Sequence, residues 1–479
     1  MNRNDYVHPL GSRYASAAMA DLLSPQRRVE VWRRLWLALA ETQAELGLDI
    51  SPNALAEMRT VLKSVDLERA AEYESKLRHD VMAHVHLLGD DAPAARGIIH
   101  LGATSAFITD NADLLVTRDA LHLIRSRVVR CLLALAEFAD RYAALPTLGY
   151  THFQTAQPTT VGKRATLWAQ DLLLDLEELE HRTASLRFRG AKGTTGTQAS
   201  FLELFDGDGN KVDALDRTVS RKMGFHESYA VTGQTYPRKV DQAVAATLAG
   251  VGVSLSKSAH DIRLLSHLQE LEEPFGKNQV GSSAMPYKRN PMRSERICAL
   301  ARHVIVLAQD PAVTAATQWL ERTLDDSANR RVSLNDAFLA LDGALVVAEN
   351  VFSGLVVNEG VIARRLDAEL PYLVSETLLM RASARGGDRQ RLHERIRIHA
   401  LASRAVQTES GGSPDVLDRI ASDAAFGSVD PDEIEAVRTP AAAIGRAPDQ
   451  VARFLEGLRP AIAPFLEEAN SLEDASLRV

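Results

Sequence analysis

Residues 110–138, DNADLLVTRDALHLIRSRVVRCLLALAEF, decide the fold. Leu121, Ile124, Val128, Leu132, Leu135 and Phe138 recur at three- and four-residue spacing, and neither glycine nor proline interrupts the pattern before Pro146. Residues so spaced share one face of an α-helix, so the run predicts a single helix of about thirty residues, well beyond the globular average. Similar runs occupy about 161–188, 237–268 and 291–309, and another begins after Ser327; their breaks are glycine-rich, at Gly190 to Gly196 and Gly276 to Gly281. Upstream, Ser24-Pro25 and Ser51-Pro52-Asn53 read as helix starts. The segment Leu77 to His86 reads as helical, with His79, Met82, Ala83 and His86 on one face. Residues 1–24 read as an irregular arm turning at Pro9-Leu10-Gly11. No segment alternates as a strand, and no repeat of solenoid length appears. The expectation is an all-α chain of three helical domains: 1–104 at the N-terminus, 105–357 as a central long-helix bundle, and 358–479 at the C-terminus. Long apolar stripes that one chain cannot cover suggest a bundle shared between subunits, hence a homotetramer whose core the central helices form.

Composition narrows the partners. The 479 residues are 46% hydrophobic and 25% charged, with a formal net charge of -8. Nucleic acid or a membrane surface would call for a basic excess, so neither is expected as a partner, and an anionic ligand must be met by a focused pocket. Cys131 and Cys298 lie in apolar helical patterns and are expected as buried free thiols. The start, Met1-Asn2-Arg3-Asn4-Asp5, is polar with no apolar leader behind it, and no apolar run reads as the about 18 residues of a membrane span; a cytoplasmic location is expected.

Four polar breaks hold residues a buried bundle would not choose: Lys76 to Asp80, Gly102-Ala103-Thr104-Ser105, Thr151 to Pro158, and Gly281-Ser282-Ser283-Ala284-Met285-Pro286-Tyr287-Lys288-Arg289-Asn290-Pro291. In the last, glycine and two prolines oppose regular structure, and Lys288, Arg289, Arg293 and Arg296 concentrate positive charge. Ser282 and Ser283 lack the Gly-x-Ser-x-Gly elbow of acyl transfer; either hydroxyl, among cations, suits a proton acceptor. Lys288 and Asn290 can stabilise charge developing on a carboxylate. His152, flanked by Thr151, Gln154 and Gln157 ahead of a proline-started helix, suits a general acid or base, because imidazole titrates near neutrality. His79, His84 and His86 lack a zinc-motif spacing and a cysteine partner, so no metal site is expected. Between Glu321 and Arg331, the set Arg322, Ser327 and Arg331 reads either as a phosphate cradle or as a solvated charged face.

The loop from Gly281 to Pro291 resembles the signature of the fumarase/aspartase superfamily in the form carried by the longer, animal-type adenylosuccinate lyases. Lys76 to Asn111, Leu145 to Phe205, Val231 to Asp241, Leu271 to Arg302 and Gln318 to Arg331 are similar to that subgroup. The resemblance implies a homotetramer with active sites shared between subunits, and no metal or organic cofactor. It implies small nucleotide substrates: adenylosuccinate split to AMP and fumarate, and the succinylaminoimidazole carboxamide ribotide split to its carboxamide product and fumarate. Ser282 then matches the general base, His152 the general acid, and Lys288 and Asn290 the holders of the carboxylate intermediate. His79 matches a group that orients substrate or supports the acid. Arg13, Tyr14, Arg78, Asp80, Thr104, Ser105, Thr151, Gln234, Arg296, Arg322, Ser327 and Arg331 match substrate-binding positions. Thr155 stands where close relatives carry proline, a departure expected to loosen the segment behind His152. The competing readings are another fumarate-releasing lyase, for argininosuccinate or aspartate, and a non-catalytic helical assembly protein of the same fold.

Overall fold

The computed structural model describes residues 6–472; the polar start Met1 to Asp5 and positions 473–479 of the C-terminal segment lie outside them. The labelled elements are α1 (Pro25–Glu45), α2 (Leu67–Leu77), α3 (Asp80–Asp91), α4 (Ser105–Arg141), the strands β1 (Pro146–Thr151) and β2 (Gln154–Thr160), and α5 (Val161–Ser185). They continue with α6 (Lys239–His267), β3 (Leu271–Glu272), α7 (Met292–Leu307), α8 (Gln309–Ala316), α9 (Asp325–Ser353), β4 (Val356–Val357), α10 (Glu359–Leu373), α11 (Ser375–Ala384), α12 (Arg389–Ser410) and α13 (Ala447–Ile462). The architecture is all-α apart from two small antiparallel pairs, β1–β2 and β3–β4.

The central helix is longer than its apolar stripe predicts. α4 runs for 37 residues and buries Leu121, Ile124, Val128, Leu132 and Leu135 completely. It packs against α5 and α9, while α6 packs against α7, so the main core is a bundle of these five helices. Helix starts follow the local chemistry: the Ser24 hydroxyl accepts the Arg27 amide and the Ser51 hydroxyl accepts the Ala54 amide, each ahead of a proline in the first turn. Cys131 and Cys298 are buried free thiols. A second core gathers Leu366, Leu370, Leu378, Val416, Leu417 and Phe426, together with Leu148 from β1. α13 returns to the main core through Val451, Leu455 and Leu458.

Four expectations are corrected. The segment from Leu145 to Pro158 is a β-hairpin, and Pro158 lies within β2 rather than at a helix start. Its register jumps between Thr147 and Gly149, where a Cβ on Gly149 would lie 2.4 Å from the Gln157 carbonyl, so only glycine fits. The N-terminal arm is not irregular throughout: it holds a π-turn at Leu10–Tyr14 and a short helix at Ala17–Leu22. Leu77 to His86 is not one helix, because Arg78 adopts φ 56° and ends α2 while His79 starts α3. Finally, the stretch Met292–Ala316 is long and apolar enough to span a membrane by length and composition, and less than half of its most apolar part is buried in the chain. Arg302 and Asp310 within that stretch, and its packing against α6 and α9, fit a bundle helix with one apolar face left uncovered.

Between α5 and α6 lies a carboxylate with an unusual affinity for its proton. Asp175 is partly buried, and its Oδ2 has no hydrogen-bond partner. Burial, reinforced by Asp171 one turn earlier and opposed by the Ser254 hydroxyl, pushes it up to about 6. A carboxyl raised in the folded state binds its proton more tightly there than in the unfolded chain. Its contribution is therefore favourable at low pH and is lost as pH rises from about 4 to about 6. Asp175→Asn is expected to raise the melting temperature at pH 7.5 and to flatten the fall in stability between pH 4 and 6; an unchanged pH profile would refute the assignment.

Candidate active site

A polar cavity of about 450 Å³ opens where α2, α3, α4 and α9 converge. Nine of the sequence candidates line it: Arg78, His79, Asp80, Thr104, Ser105, Gln234, Arg322, Ser327 and Arg331. Most are presented at the ends and starts of helices or in the loops between them. The left-handed turn at Arg78 lets His79 begin α3, where its Nδ1 accepts the Met82 amide at 3.3 Å; the proton of the neutral ring then sits on Nε2. Thr104 precedes α4 without a side-chain cap, so the free amides of that 37-residue helix face the cavity beside Ser105 and Ala106. On α9, Ser327 and Arg331 are one turn apart and share a face. The Arg331 guanidinium meets Asp80 at 3.0 Å, and the Arg322 guanidinium meets Asp326 at 3.4 Å. Gln234 is fixed by its amide on the Glu321 carbonyl.

The floor of the cavity is a buried ion network that sequence reading missed. Arg238 donates to both oxygens of Asp110 at 3.1 Å and to Asp326 at 2.6 Å. Arg330 donates to Asp241 at 2.6 Å, to Asp113 at 3.0 Å and to the Tyr236 hydroxyl, which itself donates to Asp241 at 2.6 Å. Both guanidiniums also lie over the Tyr236 ring, at 4.5 and 5.2 Å. Burial opposes ionisation of Asp110, yet Arg238 and Arg330 hold it below the usual carboxylate range. Burial pushes the Tyr236 hydroxyl well above its ordinary value, so it stays a donor. The spacing Asp326/Arg330, like that of Ser327/Arg331 but one residue out of phase, was the available signal: residues four apart share a face, and a shift of one residue turns that face inward. His100 was also missed. Burial, then the nearby His79, pushes it down to about 4, and its Nδ1 accepts the Trp36 indole N–H at 3.0 Å.

The other candidates lie elsewhere. Lys288 and Asn290 line a second cavity of about 680 Å³, together with Arg263, His267, Glu272 and Phe275, and the two cavities share no residue. The loop carrying Ser282 is pinched at its neck by the Asn290 amide on the Gly281 carbonyl at 3.0 Å, and a Cβ on Gly281 would fall 2.2 Å from the Lys288 carbonyl. Ser282 Oγ accepts the Ala284 and Met285 amides at 3.3 and 3.1 Å, a pair of donors that favours negative charge on that oxygen. Ser283 has no such pair among the described residues, which separates two hydroxyls that composition left equivalent. The Lys288 ammonium has no ion partner among the described residues, whereas Arg289 is paired to Glu272 and Arg293 to the Pro274 carbonyl. Arg296 lies on the first turns of α7.

Thr151 and His152 sit at the tip of the β1–β2 hairpin. Thr151 pairs with Gln154, and His152 and Phe153 both take positive φ, 53° and 57°, in a two-residue turn usually given to asparagine and glycine. The tip is exposed but its base is anchored: Tyr150 donates to Glu270 at 2.6 Å, and Gln157 donates to Glu376 at 2.6 Å. Thr155, expected to loosen this segment, instead donates to Glu369 at 3.2 Å, a bond proline cannot make. Arg13 and Tyr14 lie along α9, on an arm held by the Ser16 amide on Asp342 at 2.6 Å, and line neither cavity. The three histidines of the 79–86 segment diverge: His84 meets the Trp32 ring edge-on, His86 stacks on Tyr73, and His79 caps α3.

A family described as "Lyase" matches residues 23–306, and one described as "Adenylosuccinate lyase C-terminus" matches residues 371–454. The adenylosuccinate lyase of Saccharomyces cerevisiae is 49% identical, with 99% of both chains covered. This chain belongs to the adenylosuccinate lyase family. Within that family the enzyme of Schistosoma mansoni is 47% identical over 94% of both chains. The adenylosuccinate lyase fold extends to more distant structures: the 3-carboxy-cis,cis-muconate lactonizing enzyme of Pseudomonas putida has a TM-score of 0.81 at 23% identity, covering 95% of this chain and 99% of its own. A fumarate lyase from Mesorhizobium has a TM-score of 0.80 at 25% identity, covering 93% and 99%.

Replacing Arg330 with methionine removes one partner of a buried network and leaves Asp241 uncompensated. A loss of about 3–5 kcal/mol in urea unfolding is expected; a loss below about 1 kcal/mol would show that the network does not hold the cavity floor.

Proposed function

We propose that the chain is an adenylosuccinate lyase, which releases fumarate from adenylosuccinate to leave AMP and acts likewise on the succinylaminoimidazole carboxamide ribotide. The observation that carries this reading is the cavity on which Arg78, Arg322, Ser327 and Arg331 converge beside the uncapped start of α4, a setting suited to a phosphate-bearing ligand. In this reading the alkoxide of Ser282 takes a proton from the carbon beside a succinyl carboxylate. The electron pair enters that carboxylate as an aci-anion, stabilised by Lys288 and Asn290. Collapse of the anion forms the carbon–carbon double bond of fumarate and breaks the carbon–nitrogen bond, while protonated His152 gives its proton to the departing nitrogen. Ser282 ends as a hydroxyl and His152 as a neutral ring, and proton exchange with solvent resets both.

The same reading includes a homotetramer with shared sites, at work in the cytosol. Its support is twofold. The cavity, the Ser282 loop and the His152 hairpin occupy separate places in one chain, so they need other copies to meet. Val253, Leu264, Val306, Val313 and Val332 expose apolar surface on α6 to α9, where a neighbouring bundle would cover it.

Purified protein incubated with adenylosuccinate is expected to release fumarate, measured by absorbance; a folded protein that releases none would refute the function. His152→Ala and Ser282→Ala should each lower turnover by about two to four orders of magnitude, and activity within tenfold of wild type would strip that residue of its role. Mixing the two inactive variants, after subunit exchange has been verified, should restore activity; none restored would refute shared sites.

A further inference from the structure

The first turn of α1 breaks a local rule. Helix N-termini carry partial positive charge and favour acidic side chains, yet this turn has no acid and places Arg27 and Arg28 there. Arg27 has partners, lying 4.0 Å from Glu30 and 3.8 Å from Asp119. Arg28 has none: among the described residues its guanidinium meets no carboxylate, carbonyl or ring. It lines the polar cavity and also a smaller annex of about 40 Å³ that continues along α9 past Leu334, Asn335 and Phe338.

The charge balance of the cavity gives this cation a task. Six arginines face five carboxylates across its lining. Asp110, Asp113, Asp326 and Asp80 are each committed to an arginine: Arg238, Arg330, Arg238 with Arg322, and Arg331 in turn. The two cradle arginines, Arg322 and Arg331, are thus partly neutralised before any ligand arrives. Arg28 and Arg78 remain uncommitted, and without Arg28 the lining would be formally neutral. A phosphate monoester carrying nearly two negative charges needs uncompensated positive charge to replace its water.

We propose that Arg28 is a further phosphate-binding residue of this cavity, holding the 5′-phosphate of the nucleotide from the α1 side, together with Ser327 and Arg331 on α9. The proposal rests on the nucleotide-lyase reading for the identity of the ligand and on the cavity alone for the charge. Arg28 takes no part in proton transfer, so its effect falls on binding.

Calorimetric titration of the full-length protein with AMP, adenosine and inorganic phosphate tests it. Arg28→Gln is expected to weaken AMP about 10- to 100-fold, to leave adenosine within about twofold, and to raise KM for adenylosuccinate while kcat stays within about threefold. Arg28→Lys, which keeps the charge without the fork, should recover part of the AMP affinity and guards against a folding defect in the glutamine variant. AMP affinity unchanged in Arg28→Gln, or an equal loss for AMP and adenosine, overturns the proposal. A wild-type protein that binds AMP but releases no fumarate defeats the lyase reading and leaves the Arg28 comparison decisive. If wild type binds neither AMP nor inorganic phosphate, Arg28 has no phosphate to hold and the proposal falls.

Discussion

The pairing of Arg238 and Arg330 with four aspartates around Tyr236 is the constraint on which the chamber depends. Bringing such groups out of water is favourable only when every guanidinium and carboxylate finds its partner at once. Asp110 and Asp113 come from α4, Asp241 from α6, and Asp326 and Arg330 from α9, so satisfying them fixes the register of three long helices at one level of the bundle. Apolar packing alone tolerates small slides between helices; a bidentate guanidinium does not. The helices that supply the floor also carry Ser105, Ser327 and Arg331 into the chamber, so their placement follows from bonds beneath them.

The tight pairing of that network contrasts with the loop and the hairpin. The loop from Gly281 to Pro291 is held mainly at its neck, and the hairpin presents His152 in a turn conformation that its residue types do not favour. In the proposed mechanism, a chain that gathers the phosphate-binding groups while holding the proton-transfer groups on separate projections suits an assembly in which several copies complete one site. Such an assembly would also cover the apolar helix faces that the chain exposes.

The helical fold was legible because Leu121, Ile124, Val128 and their successors repeat with a helix's own period over several turns. The hairpin was not, because Gln154 to Thr160 carries few apolar residues and its pairing depends on a bulge at Gly149 that leaves no periodic trace. Nor did the ending of α2 announce itself: Arg78 takes a left-handed conformation that sequences usually mark with glycine. Among site residues, those in polar breaks stood out by contrast with their surroundings. Arg238, Arg330 and Arg28 did not, because a cation within a helical pattern reads as a solvated face, and only three-dimensional pairing separates a structural arginine from an uncommitted one. Ser282 and Ser283 were distinguished only by resemblance until the direction of two backbone amides was visible.

The anchoring of the hairpin has a further meaning. Leu148 is a member of the second core, and Thr155 and Gln157 are tied to Glu369 and Glu376 on α10 and α11, so the imidazole of His152 rides on the C-terminal helices although it belongs by sequence to the central segment. In the proposed mechanism, those helices serve as a chassis for the proton donor. Reaction rates fall steeply with misplacements of an ångström, so in that mechanism a methylene lost from the remote core would be felt in proton-transfer distance as well as in stability. Leu370, Leu417 and Phe426 would then answer to the tolerance of chemistry as well as to the looser tolerance of stability.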